Sequence, residues 1–195
     1  LLHREELRRQ HTEEALRRTS RAYRMLSECN QVIVRAEDEN AMLHDLCARL
    51  VTPGGYRLAW VGRAEHDQAH TVRPVAWAGH EADYLATIRV TWAEDEHGQS
   101  PVGRAIRTGC PQVARSIAGD PNFIPWREEA LGRGYQSSIA LPVALEGGSS
   151  GVLTLYSARP DAFDTEEVAL LQELASNLAY GIRALRTHAA LQEST

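Results

Sequence analysis

From Val168 onward, Leu171, Ala175, Leu178, Ile182, Leu185 and Ala189 recur at alternating steps of three and four, the spacing with which one helix packs lengthwise on another. A second line through Leu170, Leu174 and Gly181 widens the apolar face, so one side is expected on a sheet and the other on a partner helix. Asp164 caps this helix, Glu167 stands where a capping box needs it, and Phe163 is placed to staple onto Val168. Just upstream the period falls to two. Ile139, Leu141 and Val143 alternate with Ala140 and Pro142, and Val152, Leu153, Leu155 and Tyr156 follow the turn Gly147-Gly148-Ser149-Ser150-Gly151. That pattern predicts a hairpin of two buried strands.

The other end of the chain is helical by a different signal. Residues 1–52 contain neither glycine nor proline, and Glu13 and Glu14 stand four before Arg17 and Arg18, the favourable order for helix ion pairs. Leu16, Tyr23, Leu26 and Ile33 keep a heptad phase, with Thr19 and Asn30 in the remaining seam slots. The first turns are sparsely apolar and need a partner helix; Asn30 either fixes register between two chains or faces solvent. The run Glu37-Asp38-Glu39-Asn40 interrupts the helix, a fresh face of Leu43, Leu46, Cys47 and Leu50 follows, and Thr52-Pro53-Gly54-Gly55 ends it.

Between these ends, Tyr56–Arg63 and Val72–Ala78 read as a hairpin and Ile88–Trp92 as a short strand. A Ser100-capped helix runs through Arg107 to a stop at Thr108-Gly109, Gln112–Ala114 is extended, and Trp126–Arg133 forms another helix ending at Gly134.

The chain of 195 residues, 43% of them hydrophobic, suffices for one core with helical extensions. Net charge is -5 and all 21 basic residues are arginine. Without lysine there is no phosphate-loop, Schiff-base or kinase-type lysine chemistry. The arginines are dispersed among acids, so nucleic acid is not an expected partner. No run approaches the roughly 18 apolar residues of a membrane span, and neither a signal peptide nor direct membrane contact is expected. Cys29, Cys47 and Cys110 are odd in number and far apart, and the first two fall on apolar helix faces. They read as reduced buried thiols of a cytoplasmic protein. His66 and His70 are close but lie on a turn without a third ligand, so no metal site is expected. The missing initiator methionine and the helical C-terminal pattern suggest a piece of a longer protein. Between the hairpin and the last helix lies no catalytic dyad.

Six segments in this order resemble a bacterial GAF domain: Gly54-Gly55-Tyr56-Arg57-Leu58-Ala59-Trp60-Val61-Gly62; Val72-Arg73-Pro74-Val75-Ala76; Gly103-Arg104-Ala105-Ile106-Arg107-Thr108-Gly109; Asp120-Pro121-Asn122-Phe123; Pro125-Trp126-Arg127; and Arg133-Gly134-Tyr135-Gln136-Ser137-Ser138-Ile139-Ala140-Leu141-Pro142. The resemblance implies an N-terminal signalling helix over 1–24, a sensory domain over 25–186 and the start of a linker helix over 187–195. It also implies an α+β, PAS-like antiparallel sheet of about six strands with helices on both faces and long terminal helices. The first and last helices would lie on one face, and Val90–Arg133 would roof a small-molecule pocket on the other. Pocket candidates are then Trp77, Trp92, Phe123, Trp126, Tyr135, Ser137 and Ser138. Trp60, Trp77 and Tyr135 are equally readable as sheet core, Ser137 and Ser138 as ladder residues, and Arg89 and Arg127 as anion anchors or surface charges.

Such domains usually sit beside PAS domains in sensors whose outputs are diguanylate cyclases, EAL phosphodiesterases or histidine kinases. No output signature occurs in this chain. Cyclic nucleotides are not expected, since the family's Asn-Lys-Phe-Asp-Glu set needs lysine. Bilin is not expected, because Asn30, Ala48 and Pro111, not histidine, follow the cysteines. Haem would need a pocket histidine; His80 and His97 lie near the roof with nothing else to support them. The ligand is left open. The implied role is a non-enzymatic sensor, homodimeric through Leu16, Tyr23, Leu26, Leu178, Ile182 and Leu185. The alternatives are an enzyme resembling the free methionine sulfoxide reductases, with Cys110 on the pocket rim, and a purely structural dimeriser.

Overall fold

Uninterrupted by glycine or proline, the first helix, α1, runs Leu2–Val34, and α2, Glu39–Val51, restarts after a break. The acidic run makes that break because Asp38 accepts the Ala41 N–H at 2.8 Å and so caps α2. The structure, a computed structural model, describes residues 1–79, 83–145 and 150–195. His80 and the Gly147-Gly148-Ser149 part of the expected turn lie outside the described residues.

After α2 come strands β1 (Leu58–Ala64) and β2 (Val72–Gly79) and a short helix α3 (Tyr84–Thr87). Helix α4 (Pro101–Thr108) is capped by Ser100 and stopped by Gly109, whose φ of 69° is the left-handed conformation glycine accepts. Strand β3 (Gln112–Ala114) and a 3-10 segment (Pro121–Trp126) lead into α5 (Arg127–Gly132). Strands β4 (Ser137–Ala144) and β5 (Ser150–Ser157) form the second hairpin, and α6 (Thr165–Glu193) closes the chain.

The described strands form one antiparallel sheet of five in the order β2-β1-β5-β4-β3. The expected strand at Ile88–Trp92 contributes only an isolated bridge between Thr91 and Thr71. Only its Val90 carbonyl accepts from β2, the Val72 N–H at 3.0 Å; the Trp126 indole N–H takes the Arg89 carbonyl and Arg107 takes that of Trp92. The segment therefore belongs to the roof and not to the ladder.

Successive residues of β5 separate two cores. Leu153 and Leu155 face α1, α2 and α6 with Met25, Leu46, Leu171 and Ile182. Val152 and Tyr156 face Val102, Ile117, Phe123 and Trp126. Both faces of the central strands are covered, which explains their nearly continuous apolar runs.

Between α1 and α6, Arg21 meets Glu167, Asn30 meets Asn177, and Ile33 meets Gly181. The partners rise together in number, so the two helices run parallel. Asn30, half-buried, has a partner within its own chain: it accepts the Asn177 amide at 3.1 Å. Leu26, Leu178 and Ile182 are likewise buried in the chain's own core, and Leu185 packs against it. Leu16 and Tyr23 are 64% and 60% exposed.

Candidate sensory site

Parity along the central strands decides what faces the roof. Trp60, Thr154 and Ala140 are register partners across β1, β5 and β4, so their side chains share one face. Tyr156 stands two residues after Thr154 on that face. Its ring lies 4.8 Å from Tyr135 and, edge-on, 5.6 Å from Tyr84, which is also edge-on to Tyr135 at 5.4 Å. The three tyrosines are buried.

The polar atoms of this cluster are unusually under-used. The Thr154 hydroxyl is buried without a hydrogen-bond partner, and the buried Trp60 indole nitrogen and Tyr84 hydroxyl share one partner, the Tyr156 hydroxyl. Trp60 and Tyr84 both turn towards the Tyr156 hydroxyl, and their donation offsets part of the burial that pushes that phenol up to about 12. Burial likewise raises the Tyr84 phenol. All these hydroxyls are therefore neutral at ordinary pH, and the cluster offers neutral donors and acceptors beside aromatic faces.

The roof is held by backbone carbonyls bound to side-chain donors. Arg107 Nη1 donates to the carbonyls of Trp92 (3.1 Å), Ala93 (2.6 Å) and Gly98 (2.7 Å). Arg127 donates to those of Ile117 (3.3 Å) and Asp120 (2.7 Å). Its guanidinium is thereby committed to the roof and not offered to an anion.

Of the pocket candidates, Phe123, Trp126 and Tyr135 lie in this second core; Phe123 and Trp126 meet edge-on at 5.9 Å, and Trp126 has the His97 ring 6.2 Å away. Trp92 packs against its rim, its indole N–H donating to the Glu65 carbonyl at 2.9 Å between the rings of His66 and His70. Trp77 stands apart on edge strand β2, 44% exposed and edge-on to His44 of α2. Ser138 is buried in the ladder opposite Tyr156. Ser137 is committed to the chain, donating to the Arg159 carbonyl at 2.6 Å.

Sequence reasoning missed Tyr84, Tyr156, Thr154 and Trp60 as one polar group. Strand parity carries the signal for the last three; Tyr84 belongs to a short helix with no periodicity to reveal it.

On the opposite side of the sheet, Glu167 accepts from Arg21 at 2.7 Å and from the Tyr56 hydroxyl, while Arg21 also donates to the Gly54 carbonyl. Burial opposes the Arg21 charge, but Glu167 more than compensates and the guanidinium is held above its usual value. Burial and then the Glu167 charge raise the Tyr56 phenol. The capping box is thus half made: Asp164 accepts the Glu167 N–H at 2.8 Å, while the Glu167 carboxylate is engaged by Arg21 and Tyr56.

Cys29 and Cys47 lie in the helical core, where burial pushes both thiols up to about 12, and Cys110 is exposed. Among the described residues no three histidine, cysteine or acidic side chains are grouped for a metal, and no helix is long and apolar enough to cross a membrane.

Several solved structures share the fold. A free methionine-R-sulfoxide reductase from Neisseria meningitidis superposes with a TM-score of 0.70 at 22% identity, covering 86% of this chain and 91% of the reductase. The GAF domain of a phosphoenolpyruvate-protein phosphotransferase from Coxiella burnetii gives 0.68 at 19%, covering 88% and 98%. The reduced reductase of Staphylococcus aureus gives 0.65 at 16%, covering 82% and 94%. No curated protein matches the chain. The family model of the GAF domain matches residues 36–183, from the end of α1 through most of α6. With the five-stranded sheet, its roof and helix α2 in that same span, the chain belongs to the GAF domain family.

Proposed function

We propose that this chain is the regulatory sensory domain of a bacterial signal-transduction protein: it binds a small molecule beneath the roof and relays its state through terminal helices to an output domain elsewhere in the parent protein. The observation that carries this reading is the buried Thr154 hydroxyl without a hydrogen-bond partner, beside Trp60 and Tyr84, whose polar atoms share the single Tyr156 hydroxyl. A buried polar group without a partner costs about 1–3 kcal/mol, and a ligand that supplies the missing hydrogen bonds offsets that cost. The relay requires different affinities for two helix arrangements, because a ligand that binds both equally moves neither. The output is of the diguanylate cyclase, EAL phosphodiesterase or histidine kinase kind, the location is cytoplasmic, and the domain works as a homodimer.

Native mass spectrometry of the purified chain, followed by melting with any molecule it reveals, tests the reading. A retained ligand whose stabilising effect shrinks in Thr154→Val and Tyr84→Phe is expected. No stabilising ligand, with both variants at least as stable as the parent, would favour a closed structural module.

The second reading, reduction of free methionine sulfoxide, draws support from the solved reductases that share the fold. The thiols argue against it. A nucleophilic cysteine needs thiolate character, whereas Cys29 and Cys47 are raised and lie across the sheet from the roof, leaving Cys110 without a resolving partner there. Turnover of methionine sulfoxide that disappears in Cys110→Ser would reverse the ranking.

A further inference from the structure

A groove of about 300 Å³ opens where α1 crosses the end of the sheet, away from the roof. It is lined by Glu14, Arg17, Arg18 and Arg21 of α1, by Gly54, Gly55 and Tyr56, by Ser157 at the end of β5 and by Arg159 just beyond it. Four arginines thus line the groove beside one glutamate. Two are already spoken for: Arg21 pairs with Glu167, and Arg18 with Glu14 at 3.5 Å. Arg17 and Arg159 make no side-chain hydrogen bond or ion pair among the described residues.

Arg159 is presented on a stiff support. Its N–H donates to the Ser157 hydroxyl at 3.2 Å and its carbonyl accepts from Ser137 at 2.6 Å. Two residues on, the Asp161 N–H donates to the Arg115 carbonyl at 2.8 Å and the two side chains pair. A fixed backbone that carries an unpaired guanidinium into a concave surface is prepared for an anion, since little order remains to be imposed on binding.

From this arrangement we infer that the groove binds a small molecule bearing a phosphate or diphosphate group, clamped between Arg17 of α1 and Arg159 of the sheet end. The guanidinium fork matches phosphate oxygens bidentately, and two uncompensated cations suit a dianion. The site lies outside the ligand cluster beneath the roof and stands whether or not that cluster binds anything. Occupancy ties the exposed half of α1 to the body of the domain; without an anion, the like charges of Arg17 and Arg159 oppose that contact.

Calorimetric titration with pyrophosphate, sodium chloride holding ionic strength constant, tests the site. The parent chain is expected to bind, with affinity lowered at least about tenfold in Arg17→Ala and in Arg159→Ala. Arg159→Lys keeps the charge without the fork and recovers part of the loss. Both parent residues are exposed, and circular dichroism checks that each variant keeps its helices. Binding unchanged in both alanine variants, binding abolished by Arg89→Ala on the roof instead, or heat reproduced by sodium chloride alone would overturn the assignment.

Discussion

Arginine does in this chain much of the work that other proteins divide among several side chains. One guanidinium, Arg107, reaches the carbonyls of Trp92, Ala93 and Gly98, and another, Arg127, ties Ile117 to Asp120. Those carbonyls lie in irregular backbone outside the ladders, where side-chain donors supplement the few backbone ones such as the Phe123 N–H on Asp120. The planar fork suits this task and a compact ammonium does not. Arg107→Lys is therefore expected to cost about 2 kcal/mol in urea denaturation, nearly as much as Arg107→Ala. Equal stability of the lysine variant and the parent would show that charge alone suffices. A second residue-scale consequence concerns alkali. Cys29 and Cys47, usually near 9.0, are held at about 12 in the fold. Above the unfolded value the unfolded chain releases protons that the folded chain keeps, so stability is intact below about pH 9 and falls as pH rises towards 12, by at most about 1.4 kcal/mol per pH unit for each thiol. Tyr156 adds to the decline from its ordinary value of 10.0 upward. Melting temperatures measured from pH 7 to 11 should stay level and then drop, the drop being shallower in Cys47→Ala relative to that variant's own value at pH 7.

At the scale of elements, the tightest constraint is the crossing of α1 and α6. A Cβ placed on Gly181 would sit 2.7 Å from Ile33 Cγ2, and Ile33, β-branched, has few rotamers with which to yield. Gly181→Ala gains helix propensity yet forces the helices apart, and a net loss of about 1 kcal/mol is expected, most of which disappears when the same change is made in an Ile33→Ala background that lacks the clashing Cγ2. A double-mutant cycle by denaturation reads this coupling directly; additive effects would mean that the helices do not meet there. This crossing also shows where sequence reasoning stops. The caps at Asp164 and Ser100 and the stop at Gly109 are local signals and are realised as local structure. Which side of a helix a polar residue takes is a tertiary matter: the heptad phase placed Asn30 in a seam, but only folding makes Asn177 its partner. Likewise the seam of α6 was readable while its occupant was not, because Leu178 and Ile182 are satisfied within the chain before any second copy arrives. The roof cluster was half legible for the same reason, since parity marks a face but not what covers it.

The whole molecule joins these parts into a sheet with a roofed side and a helical side. The paired helices are offset along their axes: α1 is exposed from its start through Ser20, and α6 is exposed from Thr187 onward. Leu16 and Tyr23 on α1 and Tyr180 on α6, 71% exposed, are left as uncovered apolar side chains. A homodimer is expected to cover them. In sedimentation velocity the parent chain should run as a dimer and Leu16→Glu/Tyr23→Glu as a monomer; a parent that stays monomeric at high concentration would remove the dimer from the proposed relay. The offset has a mechanical result. Leu2–Ser20 extends as a lever of about 28 Å beyond its last buried anchor near Arg21, so a tilt of about 5° at that fulcrum sweeps the first turn through roughly 2.5 Å, half a helical pitch. Any tilt set among Arg21, Tyr56 and Glu167 would thereby be enlarged along the exposed arm before it reaches the far tip.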